Sequence, residues 1–209
     1  MDKVIITIAR SYGSGGRTMG RMLAKELGIK YYDREILRLA SDESGINEAL
    51  FGQADEKLKS SSLFKIAKKA YQGELIPPES DNFASNDNLF NYQAKVIKDL
   101  AEEESCVIIG RCADYILKDN PNVIRLYCYA PLLDCIKREQ EQSSTSLSET
   151  DIIKKIHRID KYRSDYYKYY TGSDWNDVRN YDFCINTSSM TYEQLIAVVK
   201  SYIEIYKKK

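Results

Sequence analysis

Eight consecutive residues, Ser11-Tyr12-Gly13-Ser14-Gly15-Gly16-Arg17-Thr18, combine three glycines with serine and threonine hydroxyls and one arginine. Glycines let a backbone turn sharply and approach a polyanion closely. N–H groups at the start of a following helix then point at that anion, aided by the helix dipole. The common pattern for such a phosphate loop is glycine, four residues, then Gly-Lys-Ser/Thr, and two registers fit it here. In one, Arg17 takes the lysine place, Thr18 the magnesium place and Ser11 the first glycine. In the other, Gly16 takes the lysine place and Arg17 follows it. Neither register supplies a lysine, and Arg17 is the nearest cation. In this reading Gly13, Ser14, Gly15, Gly16, Arg17 and Thr18 cradle the donor phosphates, with Thr18 as the metal ligand. The plainer alternative is a tight turn that binds nothing.

Three further places carry charge where chemistry needs it. Arg111 follows Val107-Ile108-Ile109-Gly110, at the end of a buried apolar run; it meets a transferring or acceptor phosphate, or makes a structural salt bridge. Asp33 follows Ile29-Lys30-Tyr31-Tyr32 and is either a helix cap or a substrate contact, with Arg38 nearby. The basic segment from Lys154 to Arg163 is either a solvated charged helix or a lid. On an unbroken helix Lys154, Arg158 and Lys161 share a face, Lys155 points outward, and Arg163 lies nearly opposite them.

The elements that position these groups follow from the apolar spacing. Val4-Ile5-Ile6-Thr7-Ile8 reads as a buried parallel strand. A helix follows with Met19, Met22, Leu23 and Leu27 on one face, ending at Gly28. Further strands are expected at 29–32, 106–109, 122–129 and 183–186. Helices are expected at 35–44, 46–58, 61–72, 91–104, 112–117 and 131–140, with a long one capped by Ser148 and a last one from Thr191. The tyrosines Tyr162, Tyr166 and Tyr169 form a stripe expected to pack on the core. Alternating strands and helices imply right-handed crossovers, hence an α/β fold with a five-stranded parallel sheet and helices on both faces. Ligands on such sheets bind at the carboxyl ends of the strands, where residues 10–18, Asp33 and Arg111 fall. We expect one domain over 1–209, with a core of 1–44 and 91–209, a helical insertion at 45–90 and a lid at about 145–175.

Composition narrows the function. The 209 residues carry zero formal net charge, which argues against a dedicated nucleic-acid binder. Five cysteines form no Cys-x-x-Cys pair and read as buried thiols; with one histidine, no metal cluster is expected. The N-terminus enters the first strand at once and no apolar run reaches ~20 residues, so neither a leader nor a membrane span is expected. A cytoplasmic location and no membrane partner follow. Oligomeric state is not specified.

The loop and its helix, Gly110-Arg111, the basic segment 154–163 and Tyr181-Asp182-Phe183-Cys184-Ile185-Asn186-Thr187 together resemble the cytidylate kinase-like family of nucleoside monophosphate kinases. The resemblance runs over nearly the whole chain and is weakest at 45–90. It implies the P-loop nucleoside monophosphate kinase fold. It also implies ATP and Mg2+ as cofactors, a small-molecule nucleotide substrate, and phosphoryl transfer to a nucleoside monophosphate, CMP or dCMP first. Arg17, Arg111, Arg158 and Arg163 become the catalytic candidates, and Asp33, Arg38 and Arg111 the substrate contacts. The chain departs from the standard enzymes in lacking the loop lysine and in placing Cys112 rather than aspartate after Gly-Arg. A kinase of another small molecule, and a nucleotide-binding sensor with little turnover, therefore stand as alternatives.

Overall fold

The computed structural model describes residues 3–57, 73–143 and 147–206. Five parallel strands form one sheet: β1 (Ile5–Arg10), β2 (Lys30–Tyr32), β3 (Cys106–Ile109), β4 (Val123–Tyr129) and β5 (Phe183–Asn186), in the order β2-β3-β1-β4-β5. Ile5 pairs with Cys106 on one side and Val123 on the other, so β1 is the central strand. The strand order reverses around it, and an open sheet forms its ligand crevice at such a reversal.

Period-two alternation assigns the strand side chains to two cores. Ile5, Cys106 and Ile108 face one cluster with Ile36, Phe51, Leu89, Phe90, Ile97, Tyr166 and Tyr170. Ile6, Ile8, Val107 and Ile109 face the other with Met19, Leu23, Leu195 and Val199. The first core is built on α2 (Glu35–Ser44), α3 (Glu48–Lys57), α4 (Asn86–Glu103) and α5 (Ala113–Ile116). The second rests on α1 (Gly16–Leu27) and the C-terminal helix. A third, small cluster of Cys135, Ile136, Ile152 and Ile156 joins α6 (Leu132–Gln142) to α7 (Glu149–Thr171); α8 (Tyr192–Tyr206) closes the chain.

Several expected boundaries move. α4 begins at Asn86 rather than 91, because Ser85 caps it by accepting a hydrogen bond from the Asn88 N–H. Asp33 does not cap α2: its N-cap is Arg34, with no side-chain cap bond, and the Asp33 carboxylate pairs instead with Arg17. The described part of the 45–90 segment is not peripheral, since Phe51 is fully buried in the first core. The helix expected over 61–72 lies outside the described residues. α7 is unbroken from Glu149 to Thr171. No described helix is long and apolar enough to cross a membrane. None of the five cysteines forms a disulfide, and burial pushes the Cys106 and Cys128 thiols up to about 12.

Candidate active site

The glycine loop leaves β1 and enters α1 as the sequence spacing demands. Gly13 has φ +73, and a Cβ there would lie 2.8 Å from the Cys135 Cβ, so the loop is pressed onto α6 at a residue that only glycine fits. Ser14 is fully buried. Its hydroxyl donates to the Ser11 carbonyl at 2.8 Å and accepts from the Gly16 N–H at 3.4 Å, which holds the loop curved. Arg138 of α6 clasps the loop and lines the cavity in front of it. Its guanidinium donates to the carbonyls of Gly13 (3.3 Å) and Ser14 (2.9 Å) and to the Thr187 carbonyl (2.8 Å). The Thr187 hydroxyl also donates to the Ser14 carbonyl.

Two cavities open at the carboxyl edge of the sheet and share a wall. One, of about 450 Å³, is lined by Ser11, Tyr12, Gly13, Gly15, Gly16 and Thr18. The other, of about 260 Å³, is lined by Asp33, Arg111, Asp114, Tyr162, Tyr166 and Trp175. Arg10, Arg17, Arg34, Ile159 and Arg163 line both. The smaller cavity combines aromatic walls with a few convergent polar groups, as small-ligand sites do.

Each arginine reaches the wall differently. Arg10 ends β1, and its guanidinium lies over Gly110 so closely that Nη1 would clash with any Cβ there. Burial lowers its pKa to about 9, with Arg163, Arg17 and Arg111 pushing the same way and Asp33 opposing. Arg17 extends from the first turn of α1, pairs with Asp33 at 2.7 Å and has a 54% exposed side chain. Arg163 comes from α7; its Nη1 donates to the Arg10 carbonyl (3.0 Å) and to Asp160 (3.3 Å), and burial lowers its pKa. Arg111 and Cys112 follow Gly110 in three successive left-handed conformations, φ 68, 60 and 55. Two such non-glycine residues in a row cost of the order of 1 kcal/mol or more each. They turn Arg111 into the smaller cavity at the end of β3.

α7 crosses both cavities and is tied down at their edge. The Tyr12 N–H donates to Asp160 at 2.8 Å, and the Tyr12 hydroxyl donates to Glu139 at 2.9 Å. Lys155, expected to point outward, instead donates to Glu139 at 2.5 Å and is only 31% exposed. Asp114, almost fully buried, accepts a 2.6 Å hydrogen bond from the Tyr167 hydroxyl. Burial raises its pKa to about 6, against the lowering effects of that bond, of its own backbone and that of Tyr115, and of Arg125.

Of the residues singled out from the sequence, the structure thus brings together Gly13, Gly15, Gly16, Arg17 and Thr18 around the larger cavity, and Arg17, Asp33, Arg111 and Arg163 around the smaller one. Ser14 is turned into the loop. Arg158 is exposed and lines neither cavity, as do its face-mates Lys154 and Lys161, at 74% and 75% exposure. Arg38 pairs with Asp42 on the exposed side of α2, and its neighbour Arg34 takes the place in the wall. Sequence reasoning passed over Arg138, Asp160 and Asp114, and gave Arg10 no role beyond its place in the 10–18 stretch. Arg10 had a usable signal: a charged residue ending an otherwise fully buried strand. Arg138 had none, since its partners are backbone carbonyls and the Thr187 hydroxyl.

The match to the cytidylate kinase-like family spans residues 5–189. The chain belongs to that family. A cytidylate kinase of Methanosarcina acetivorans is 27% identical over 200 residues, covering 95% of this chain and 96% of its own length. Another, from Pyrococcus horikoshii, is 28% identical over 204 residues, covering 97% and 90%. Among solved structures, an uncharacterized protein of Eubacterium ventriosum superposes with a TM-score of 0.69 at 26% identity over 97% of this chain and 99% of its own. A shikimate kinase of Bacteroides thetaiotaomicron gives 0.55 at 12% identity over 96% and 98%, a likeness of fold. Family and fold support a phosphotransferase with the P-loop nucleoside monophosphate kinase-like architecture.

Proposed function

We propose that the protein transfers a phosphoryl group from ATP to a nucleoside monophosphate, with CMP or dCMP as the acceptor. The observation that carries this reading is the pair of cavities with a common arginine wall. Phosphoryl transfer asks a protein mainly to hold two phosphates in line and to neutralise charge. The glycine-loop cavity suits the donor triphosphate. The smaller cavity, with Arg111 at its strand end, Asp114 at its base and Tyr162, Tyr166 and Trp175 around it, suits a monophosphate and its base. Asp114 and Asp33 are the carboxylates of that lining, acceptors for an exocyclic amino group, and the aromatic rings supply the flat apolar walls.

Mg2+, when bound, would supply positive charge beside the donor phosphates in the cavity that Thr18 lines. Among the described residues no group of three or more metal-ligating side chains is assembled, which fits an ion held chiefly by phosphates and water. Thr18 lines the donor cavity and is the hydroxyl assigned to the ion in this reading. Arg163 and Asp160 make α7 the lid of this reading, and the zero net charge keeps nucleic acid outside it. A reducing cytoplasm remains its expected location.

The test is ADP release from Mg-ATP with CMP, dCMP, UMP, AMP, GMP or no acceptor. Release stimulated by CMP or dCMP above the others is expected. ADP release unaffected by every monophosphate would overturn the reading. The missing loop lysine favours a second one, a nucleotide sensor with little turnover; it predicts ATP binding with no acceptor-dependent release in the same assay.

A further inference from the structure

We infer that Arg10 supplies the charge for the transferring phosphoryl group, occupying the space that a loop lysine would use. This rests on the kinase reading above. Its first support is steric. In the register where Gly16 takes the lysine place, a Cβ at Gly16 would lie 2.8 Å from the Arg10 Cβ, 3.4 Å from its Cγ and 2.8 Å from the Cys128 Cβ. The direction in which a side chain would leave position 16 is therefore filled by Arg10. Glycine at 16 and arginine at 10 act as one device: the cation is delivered from the end of β1 instead of the start of α1.

The second support is electrostatic. Arg17 is paired with Asp33, and Arg163 spends Nη1 on Asp160 and the Arg10 carbonyl. Among the described residues no carboxylate comes within ion-pair distance of the Arg10 guanidinium, and no side-chain hydrogen bond engages it. A part-buried charge with no carboxylate in contact, and only Asp33 acting on it from farther off, is costly, more so with three like charges acting on it. An anion with several oxygens relieves that cost, and a guanidinium fork binds phosphate oxygens in pairs.

The third support is position. Arg10 stands in the wall common to both cavities, where a group passing from donor to acceptor stays within its reach. In the step itself, an oxygen of the acceptor monophosphate forms a bond to the γ-phosphorus as the bond from that phosphorus to the β–γ bridging oxygen breaks. The bonding pair leaves on ADP. Arg10 stays protonated throughout and serves only as a counter-charge.

The experiment compares wild type, Arg10→Met, Arg10→Lys and the remote control Arg179→Met, whose exposed side chain pairs with Asp177. Calorimetry with inorganic tripolyphosphate reads the anion site, and single-turnover ADP formation from ATP and CMP reads transfer. Arg10→Met should weaken tripolyphosphate binding at least ~10-fold and slow transfer ~10²–10³-fold, the usual loss for one preorganised charge. Its unliganded melting temperature should stay at or above wild type, because a buried repulsion is removed. Arg10→Lys should recover most of both losses. Wild-type tripolyphosphate binding and transfer in Arg10→Met would overturn the inference. So would losses in Arg10→Met that come with a lowered melting temperature and persist in Arg10→Lys, which would make Arg10 a packing residue. If wild type uses no monophosphate yet binds tripolyphosphate through Arg10, the acceptor reading fails and the anion site stands.

Discussion

Asp114→Asn should make the protein more stable at neutral pH and worse at its reaction. Burial pushes the Asp114 carboxyl up from its ordinary 3.8 to about 6. A carboxyl whose folded value is raised contributes its full stability below the unfolded value and loses it as pH rises through the folded one. The window is therefore roughly pH 4 to 7. At ~1.36 kcal/mol per pH unit, the rise corresponds to a loss of about 3 kcal/mol across it. Asparagine cannot ionise, and its amide oxygen can still accept the Tyr167 hydroxyl now held at 2.6 Å. It gives up part of the carboxylate's bonds to backbone N–H groups at the start of α5, so its gain at any one pH is smaller than the change across the window. Urea unfolding of both proteins at pH 4 and pH 7.5 measures this. The variant-minus-wild-type difference should move in favour of the variant by about 1–3 kcal/mol between the two. The acceptor KM should rise, because a carboxylate facing the smaller cavity is lost. A difference constant with pH would show that Asp114 is not a strained carboxyl, and the stability half of the argument would fail.

Three more outcomes follow. Arg163→Ala should slow single-turnover transfer by ~10²-fold, whereas Arg158→Ala should stay near wild type; equal losses would mean that α7 sits differently over the cavities during the reaction. Millimolar Mg-ATP should raise the melting temperature, by about 2.7 kcal/mol of stabilisation at a hundred times the Kd, and no thermal shift would remove the phosphate-loop reading. Asp182→Ala should cost about 2 kcal/mol in chemical denaturation, below the ~3–5 of a fully buried pair. It leaves Arg125, 29% exposed, without the carboxylate that takes its Nε and Nη2 at 3.0 and 2.7 Å.

The sheet was legible because its inner strands are buried on both faces. Cys106–Ile109, buried at all four positions, stands where its apolar run puts it, since a doubly covered parallel strand leaves little room for polar residues. The start of α4 was not, because the Ser85 cap is hidden in a polar stretch that reads as loop. The two arginines of α7 teach more. Grouping the basic residues selects the face of Lys154, Arg158 and Lys161, and that face meets water. The helix is oriented by its apolar stripe instead: Ile152, Ile156, Ile159, Tyr166 and Tyr170 recur at helical spacing, and Arg163 falls inside that stripe. A lone charge on the buried face marks the site better than a cluster on the other face, because only the first is forced to find a partner. Asp33 follows the same logic. As a cap it would satisfy one N–H; as the partner of Arg17 it offsets charge in a wall crowded with arginines.

That crowding explains how a loop without lysine remains consistent with its fold. Lysine in a phosphate loop is a point charge on a long, flexible stem. Here the charge stands on a strand end, braced over Gly110, and no glycine-loop side chain has to reach back over the phosphates. The cost is mutual repulsion among Arg10, Arg111 and Arg163, only partly relieved by Asp33 and Asp160. A polyphosphate donor and a monophosphate acceptor bring negative charge to both sides of that wall at once. Both ligands draw on the same arginine charge, so the first to bind weakens the field that attracts the second. Donor and acceptor affinities should therefore be coupled, and the coupling should weaken when Arg163 is removed. Measuring CMP binding with and without a non-hydrolysable ATP analogue, in wild type and in Arg163→Ala, reads that coupling directly. Independent binding in wild type would mean that the two cavities do not share their charge.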